Sequence, residues 1–267
     1  MAAYHRSWRD IGGFRAIPQA NSVLQTSSKQ FPMNLVSWNV RGLNGPGKYR
    51  MIKNMIQKEK PQLLFLQETK CNSQMLSSIL SKAWPSCRSI VVDASGSSGG
   101  LAVAWDTQSL MVNDFHATHN LIQATLHPIG TNIHGHLSNV YFPQDQASKI
   151  ALLNTLEYLN SNRSYPLWII GGDFNMITRM DEKSRGRPRL DQESAHLKNF
   201  INNNWLIDIP FCNGMFTWNN RRMGGQQIAS KLDRFILPDN ILGEISPAQY
   251  SLLQALTIGP SCSNGKT

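Results

Sequence analysis

Three apolar runs in this 267-residue chain end on polar groups with catalytic potential. Asn39 follows "LVSW", Glu68 follows "LLFLQ", and Asp173 with Asn175 follow "LWIIGG". Strand ends are where α/β proteins place reactive groups, because the next loop frees the last side chains while the sheet holds their bases still. A carboxylate pair with a nearby amide can hold a hard divalent ion through oxygen, and the amide can donate to an anionic substrate. Magnesium with a phosphate ester is the natural match. Taken singly, each residue has a plainer reading: Asn39 as a turn residue before Gly42, Glu68 as a cap, Asp173 as a partner of its own loop backbone. Gly171 and Gly172 admit a bulky substrate or a neighbouring strand, or mark a bulge. Period-two alternation predicts that Asp173 and Asn175, either side of Phe174, leave the same face of one strand.

The elements that must position these groups follow from periodicity. "NLVSWN" reads as a buried strand, "KYRMIKNMIQKEK" as a helix ended by Pro61, and "QLLFLQE" as a second buried strand, which together suggest a β-α-β unit. A polar helix near Gln74 to Ala83 precedes "RSIVVDA", "GGLAVAW", "LMVNDFH", "LIQATLH" and "HLSNVYF", a run of shorter strands with an antiparallel look. The amphipathic helix "SKIALLNTLEYLN" leads into "LWIIGGDFN"; then come the helix "DQESAHLKNFINNN", a short strand in "FTWNN" and a late strand in "SKLDRFIL". The charge run "DEKSRGRPR", residues 181 to 189, reads as a solvated loop or, less simply, a phosphate-contacting one.

Lys and Arg exceed Asp and Glu by 26 to 17, a net charge of +9, which suits an anionic partner and nucleic acid best. Cys71, Cys87, Cys212 and Cys262 form no Cys-x-x-Cys pair and have no histidine at ligand spacing, so neither a zinc site nor a disulfide framework is indicated. No stretch approaches the roughly 18 apolar residues of a membrane span, so a soluble intracellular protein with no membrane partner is expected. Residues 1 to 32, basic with Asp10 as their only acid, read as an unstructured tail; an organelle transit peptide shares that look.

The ordered set "SWNVRGL", "LFLQETK", "NVYFP", "GGDFN", "FTWNN" and "SKLDRF" resembles the endonuclease/exonuclease/phosphatase superfamily, the DNase I-like fold. "WNVRGLN", the Gly99-Gly100-Leu101 segment and "FTWNNRR" most resemble endonuclease domains of plant LINE-type retrotransposons. The resemblance spans residues 33 to 256. It implies an α/β fold, a four-layered sandwich of two mixed β-sheets packed face to face and flanked by helices. It implies a magnesium-dependent (Mg2+, with Mn2+ as substitute) phosphodiester hydrolase acting on DNA, a monomer, nuclear, whose parent element carries a reverse transcriptase module. Residue by residue, Glu68 is then a direct metal ligand with Asn39 beside it. Tyr141 points at the scissile phosphate, Asp173 orients or deprotonates the attacking water, and Asn175 hydrogen-bonds a phosphate oxygen. Asp233 orients a catalytic histidine, and Trp218, Asn219 and Arg41 contact substrate. Without the motifs, Tyr141 and Trp218 read as packing residues, and Asp233 as the ion-pair partner of Lys231 or Arg234.

The family pattern then requires Ser-Asp-His, where this chain reads "ALTIGPSCSNGKT", with Ser261, Cys262 and Ser263 in the nearest alignment. A serine hydroxyl cannot take up a proton as imidazole does, and a thiol is a poor magnesium ligand. The expectation is a domain lacking its last core strand, an aberrant tail over residues 257 to 267, and little or no hydrolysis. A non-catalytic nucleic-acid-binding remnant and a product without selected function are the alternatives.

Overall fold

The computed structural model describes residues 21–25, 33–45, 47–96, 98–185, 192–211, 214–222, 226–241 and 249–253, the first and last of these stretches as backbone. The strands and helices expected from periodicity are met almost element for element. In chain order, the strands are β1 (Asn21–Gln25), β2 (Asn34–Asn39), β3 (Leu63–Gln67), β4 (Cys87–Val92), β5 (Leu101–Asp106), β6 (Leu110–Ala117), β7 (Leu121–Pro128), β8 (Gly135–Tyr141) and β9 (Leu167–Asp173). They continue as β10 (Lys183–Ser184), β11 (Leu206–Asp208), β12 (Trp218–Asn219), β13 (Ala229–Ser230), β14 (Asp233–Pro238) and β15 (Gln249–Leu253). The helices are α1 (Lys48–Glu59), α2 (Ser73–Ala83), α3 (Gln146–Asn162) and α4 (Gln192–Asn203).

One six-stranded sheet has the order β15-β1-β2-β3-β5-β4 and the other β11-β14-β9-β8-β7-β6. Each is mixed, because β2 and β3 run parallel in the first and β8 and β9 in the second, while their other neighbours are antiparallel. The inward faces meet in a core that includes Leu35, Leu63, Phe65, Val103, Leu137, Ile169 and Phe235. Helices α1 and α2 cover the outer face of the first sheet, burying Ile52, Met55, Leu76 and Leu80 against Val36, Leu64 and Leu66. Helices α3 and α4 cover the second, burying Leu153, Leu156, Leu197 and Phe200 against Trp168 and Ile170. This is the four-layered α/β sandwich. No helix among the described residues is long and apolar enough to cross a membrane.

Local chemistry sets the helix ends. Asn72 accepts from Met75 N at 2.9 Å and Asp145 from Ser148 N at 2.9 Å, each capping the helix that follows. Lys60, in the left-handed region ahead of Pro61, closes α1 through its N–H to Ile56 O.

Two expectations are corrected. The tail assigned to residues 1 to 32 contains β1, which pairs with β2 on one side and β15 on the other. The run "NSVLQ" is too short for periodicity to tell a strand from a polar leader; pairing partners decide it. The run "DEKSRGRPR" is not wholly a solvated loop, since Glu182 is buried and Lys183–Ser184 pair with Ala229–Ser230; residues 186 to 189 lie outside the described residues. Residues 254 to 267, including Ser261, Cys262 and Ser263, also lie outside them.

Candidate active site

Asn39 and Gln67 face each other at the ends of β2 and β3, and Tyr141 and Asp173 at the ends of β8 and β9. Asp233 opens β14 directly opposite Asp173. One end of the sandwich therefore collects Asn39, Glu68, Tyr141, Asp173 and Asp233 from five strands. A buried polar link holds the two sheets in register just beneath: Gln67 Nε2 donates to Ser37 Oγ at 3.1 Å and to Asn139 Oδ1 at 2.7 Å, and Asn139 Nδ2 donates to Ala102 O at 2.8 Å. Such a link fixes register because any slip leaves buried polar groups unpaired.

At the centre, one amide bridges two carboxylates. Asn39 Nδ2 donates to Glu68 Oε1 at 2.9 Å and to Asp173 Oδ2 at 2.8 Å. Glu68 stands on a loop zipped to the exit of β2, where Val40 N donates to Gln67 O and Gly42 N to Glu68 O. Gly100 is required beside that loop: a Cβ there would lie 2.2 Å from Thr69 Oγ1. Arg41, Glu68 and Asn175 all have positive φ, at 47°, 51° and 49°. Such non-glycine residues cost on the order of 1 kcal/mol each and cluster where function over-determines the backbone.

Asn175 reaches the site by a different route from the one expected. Strand β9 ends at Asp173, so alternation no longer applies at Asn175. A turn places it instead: Asn175 N donates to Asp173 Oδ1 at 2.9 Å and Asn175 Nδ2 to Phe142 O at 2.7 Å. Of the readings of the glycine pair, close strand approach is the one realised. A Cβ on Gly171 would lie 2.5 Å from the Phe235 ring, and one on Gly172, at φ 141°, would lie 2.0 Å from Val140 O.

The electrostatics are those of an acidic pocket only partly compensated, by Arg41 and, at the rim, Lys70. Burial, joined by the charge of Glu68, pushes the Asp173 carboxyl upward against the hydrogen bonds from Asn39 and Asn175. Burial and the facing Asp173 push Asp233 well above the carboxylate range, against the Thr217 hydroxyl and the charge of Arg41. Burial and the charges of Glu68 and Asp173 raise Tyr141, which also hydrogen-bonds Glu68, so its hydroxyl stays protonated. Lys70 approaches Glu68 at 3.5 Å from the rim.

Those donors fit a hard divalent cation that keeps most of its water. All are oxygens, the carboxylates repel one another, and the Glu68 side chain retains 19% of its exposure, facing solvent. Among the described residues no group of three or more His, Cys, Asp or Glu is placed to hold a metal ion by itself. A single carboxylate ligand with bound water is how proteins commonly hold magnesium.

The alternative pairing of Asp233 with Lys231 or Arg234 is not formed. Lys231 Nζ donates to Asp208 at 2.8 Å, and Arg234 binds Glu182 at 2.6 Å and also Asp208, on the opposite face of β14. Trp218 is half-buried under the Arg41 guanidinium, 6.0 Å from the ring centroid. Asn219 is buried, and its Oδ1 accepts from Arg221 N at 2.9 Å. None of the described histidines interacts with Asp233; buried His136 starts β8 at its far end, accepting from Ser164 N.

Three contributors were not singled out from the sequence. Thr217 Oγ1 accepts from Leu232 N and Asp233 N, fixing the start of β14. Lys48 and Arg221 approach the site from α1 and from the loop after β12. The doubled "WN" before an Arg two residues on was the available signal for Arg221.

The endonuclease/exonuclease/phosphatase family model matches residues 36–244, and the chain belongs to that family. Solved structures agree on the fold. An AP endonuclease from Leishmania major superposes with a TM-score of 0.61 at 16% identity, over 83% of this chain and 81% of that one. The endonuclease domain of a telomere-specific non-LTR retrotransposon gives 0.59 at 17%, over 79% and 88%. A 3′ phosphatase from Neisseria, solved with a product DNA hairpin, gives 0.62 at 17%, over 79% and 88%. No curated protein matches significantly.

Proposed function

We propose that this chain is a divalent-cation-dependent phosphodiester hydrolase acting on DNA, of retrotransposon lineage, whose turnover is low. The observation that carries the reading is the convergence of Asn39, Glu68, Tyr141, Asp173 and Asp233 from distant segments onto one pocket, with Asn39 bridging two acids.

Glu68, with Asn39 beside it, would hold Mg2+, and Mn2+ fits the same oxygens. Such an ion supplies positive charge against the phosphate oxygens and the leaving group. Asp173, whose proton affinity burial raises, accepts the proton of the attacking water. Tyr141, held protonated, donates its hydroxyl to a phosphate oxygen. Asn175 donates its second amide hydrogen to another as charge builds there. Arg41 and Trp218 bind the strand, and Asn219 acts through the turn it holds.

Asp233 is the weak point, because no described histidine stands against it. General acid or base assistance is worth roughly 10²- to 10⁴-fold, so the leaving group departs slowly. Plasmid nicking in Mg2+ tests the reading: slow, EDTA-sensitive nicking that free imidazole accelerates at least about tenfold is expected. Nicking indifferent to EDTA, or none at any imidazole concentration, overturns it. The second reading, a DNA-binding protein without turnover, is favoured by the basic cluster around Lys48, which does not depend on Asp233.

A further inference from the structure

A cavity of about 380 Å3 adjoins the charge network of Arg234, a volume within the range of small-molecule sites. Three segments wall it: residues 178–182, helix α4, and the chain that leaves β11. Ile201, Phe211 and Met215 give it apolar surface, and Lys231, only 7% exposed, is its buried cation. Lys198, exposed on α4, stands at the mouth.

Lys231 is not saturated. An ammonium carries three N–H donors. Its two hydrogen-bond acceptors, at 2.9 and 2.8 Å, are both oxygens of Asp208, which Arg234 shares, while Glu182 stands off at 4.0 Å. Nζ also lies 5.4 Å from the centroid of the Phe211 ring, another wall of the cavity. Burial lowers the proton affinity of Lys231 by more than Asp208 restores, so a further negative neighbour is favourable there.

The charges around the cavity do not cancel. Lys231 and Arg234 balance Glu182 and Asp208, and Arg179 pairs with Asp181 at the rim. Lys198 is left over, since among the described residues it makes no ion pair. A cationic ligand would find both inner carboxylates already engaged by Arg234 and Lys231. A neutral apolar ligand would cover the walls but leave the third donor of Lys231 without an acceptor. An anion with an apolar body meets both demands. Phe211 offers a ring and Met215 a thioether, and both contacts favour an aromatic body over an aliphatic one.

We propose that this cavity binds a small aromatic carboxylate, its ring against Ile201, Phe211 and Met215, its carboxylate toward Lys231, and Lys198 adding charge at the mouth. The site is separate from the acidic pocket, and the inference does not rest on the hydrolase reading. Residues 178–182 follow closely on Asn175, and Lys231 stands just ahead of Asp233, so the ligand clamps two segments that lead to the acidic pocket.

The test is a titration of the isotope-labelled full chain with sodium benzoate, in EDTA at constant ionic strength, read by amide chemical shifts. Saturable shifts centred on Ile201, Phe211 and Lys231, with half-saturation at about 1 mM, are expected. Acetate has the charge without the ring and benzyl alcohol the ring without the charge; each should bind at least about tenfold more weakly. Lys231→Met, which leaves Asp208 its bond from Arg234, should abolish saturation up to about 20 mM. Met215→Asp should weaken benzoate about tenfold and Lys198→Glu about threefold, and both residues are exposed, so these variants serve if Lys231→Met does not fold. Lys82→Glu, exposed on α2, is the charge control and should stay within about twofold of the wild type. Acetate or benzyl alcohol matching benzoate, shifts centred on Glu68 and Asp173 instead, or Met215→Asp binding as the wild type does overturns the proposal. No cleavage is read, so this result stands apart from the plasmid assay.

Discussion

Asp233 and Arg234 are neighbours on β14 and face opposite ways, into two charged regions built on contrary principles. On the Asp233 side, Glu68, Asp173 and Asp233 crowd together with one bridging amide, and the buried pair is pushed toward protonation. On the Arg234 side, two acids meet two bases. Arg234 binds Glu182 and Asp208, Lys231 binds Asp208, and Glu182 also accepts from Thr178 N. Burial alone would raise Glu182, but Arg234 holds it down at about 2. Balanced buried charge is a structural device, costly to break once formed. Unbalanced buried charge is retained at the expense of stability and marks a candidate functional site.

The largest effect expected from that contrast is kinetic. Asp173→Asn should slow plasmid nicking, assayed with imidazole supplied, by about 10³-fold, about 4 kcal/mol in the barrier. A loss below tenfold would remove Asp173 from the proton-transfer role.

Next is the balanced side. Glu182→Gln leaves buried Arg234 short of a counter-charge and should cost about 3 kcal/mol in urea unfolding. The same pair sets an acid limit. The folded pKa of Glu182 lies below its unfolded value of 4.5, so its contribution is complete above pH 4.5 and is lost as pH falls toward about 2. A variant lacking this carboxylate should show a flatter stability profile across that window, and an equally steep one would contradict the assignment.

A smaller effect distinguishes the acidic side. Mg2+ at ten times its dissociation constant should stabilise the wild type by about 1.4 kcal/mol, read as a rise in Tm, and Glu68→Gln should abolish the rise. Smallest is Asp233→Asn, which removes a buried, repelled charge while leaving Thr217 its partner, and should raise stability by about 1 kcal/mol. If Asp233→Asn and Glu182→Gln destabilise alike, the two sides of β14 do not differ as described.

Much of this was legible in the chain. Strands such as "LLFLQ" and "LWIIGG" are apolar throughout because both faces are covered, and their polar ends mark where the sandwich stops. Glu182 was not legible: its partner Arg234 lies 52 residues further on, and "DEKSRGRPR" has the composition of a solvated loop. Asn175 was placed by strand alternation when a turn does the work, because the strand's last residue is fixed by pairing with β14, which no local pattern reports. Strand β1 was hidden for a related reason, since its partners come from β2 and from the far end of the chain.

The sequence by itself determined the periodicities, the strand ends and the residue types at them, because these depend on neighbours a few positions away. Only the tertiary structure decided which charges meet. Coulomb energy and desolvation depend on distance and burial in space, and two adjacent residues, Asp233 and Arg234, acquired opposite surroundings when the pleat of one strand turned them to opposite faces.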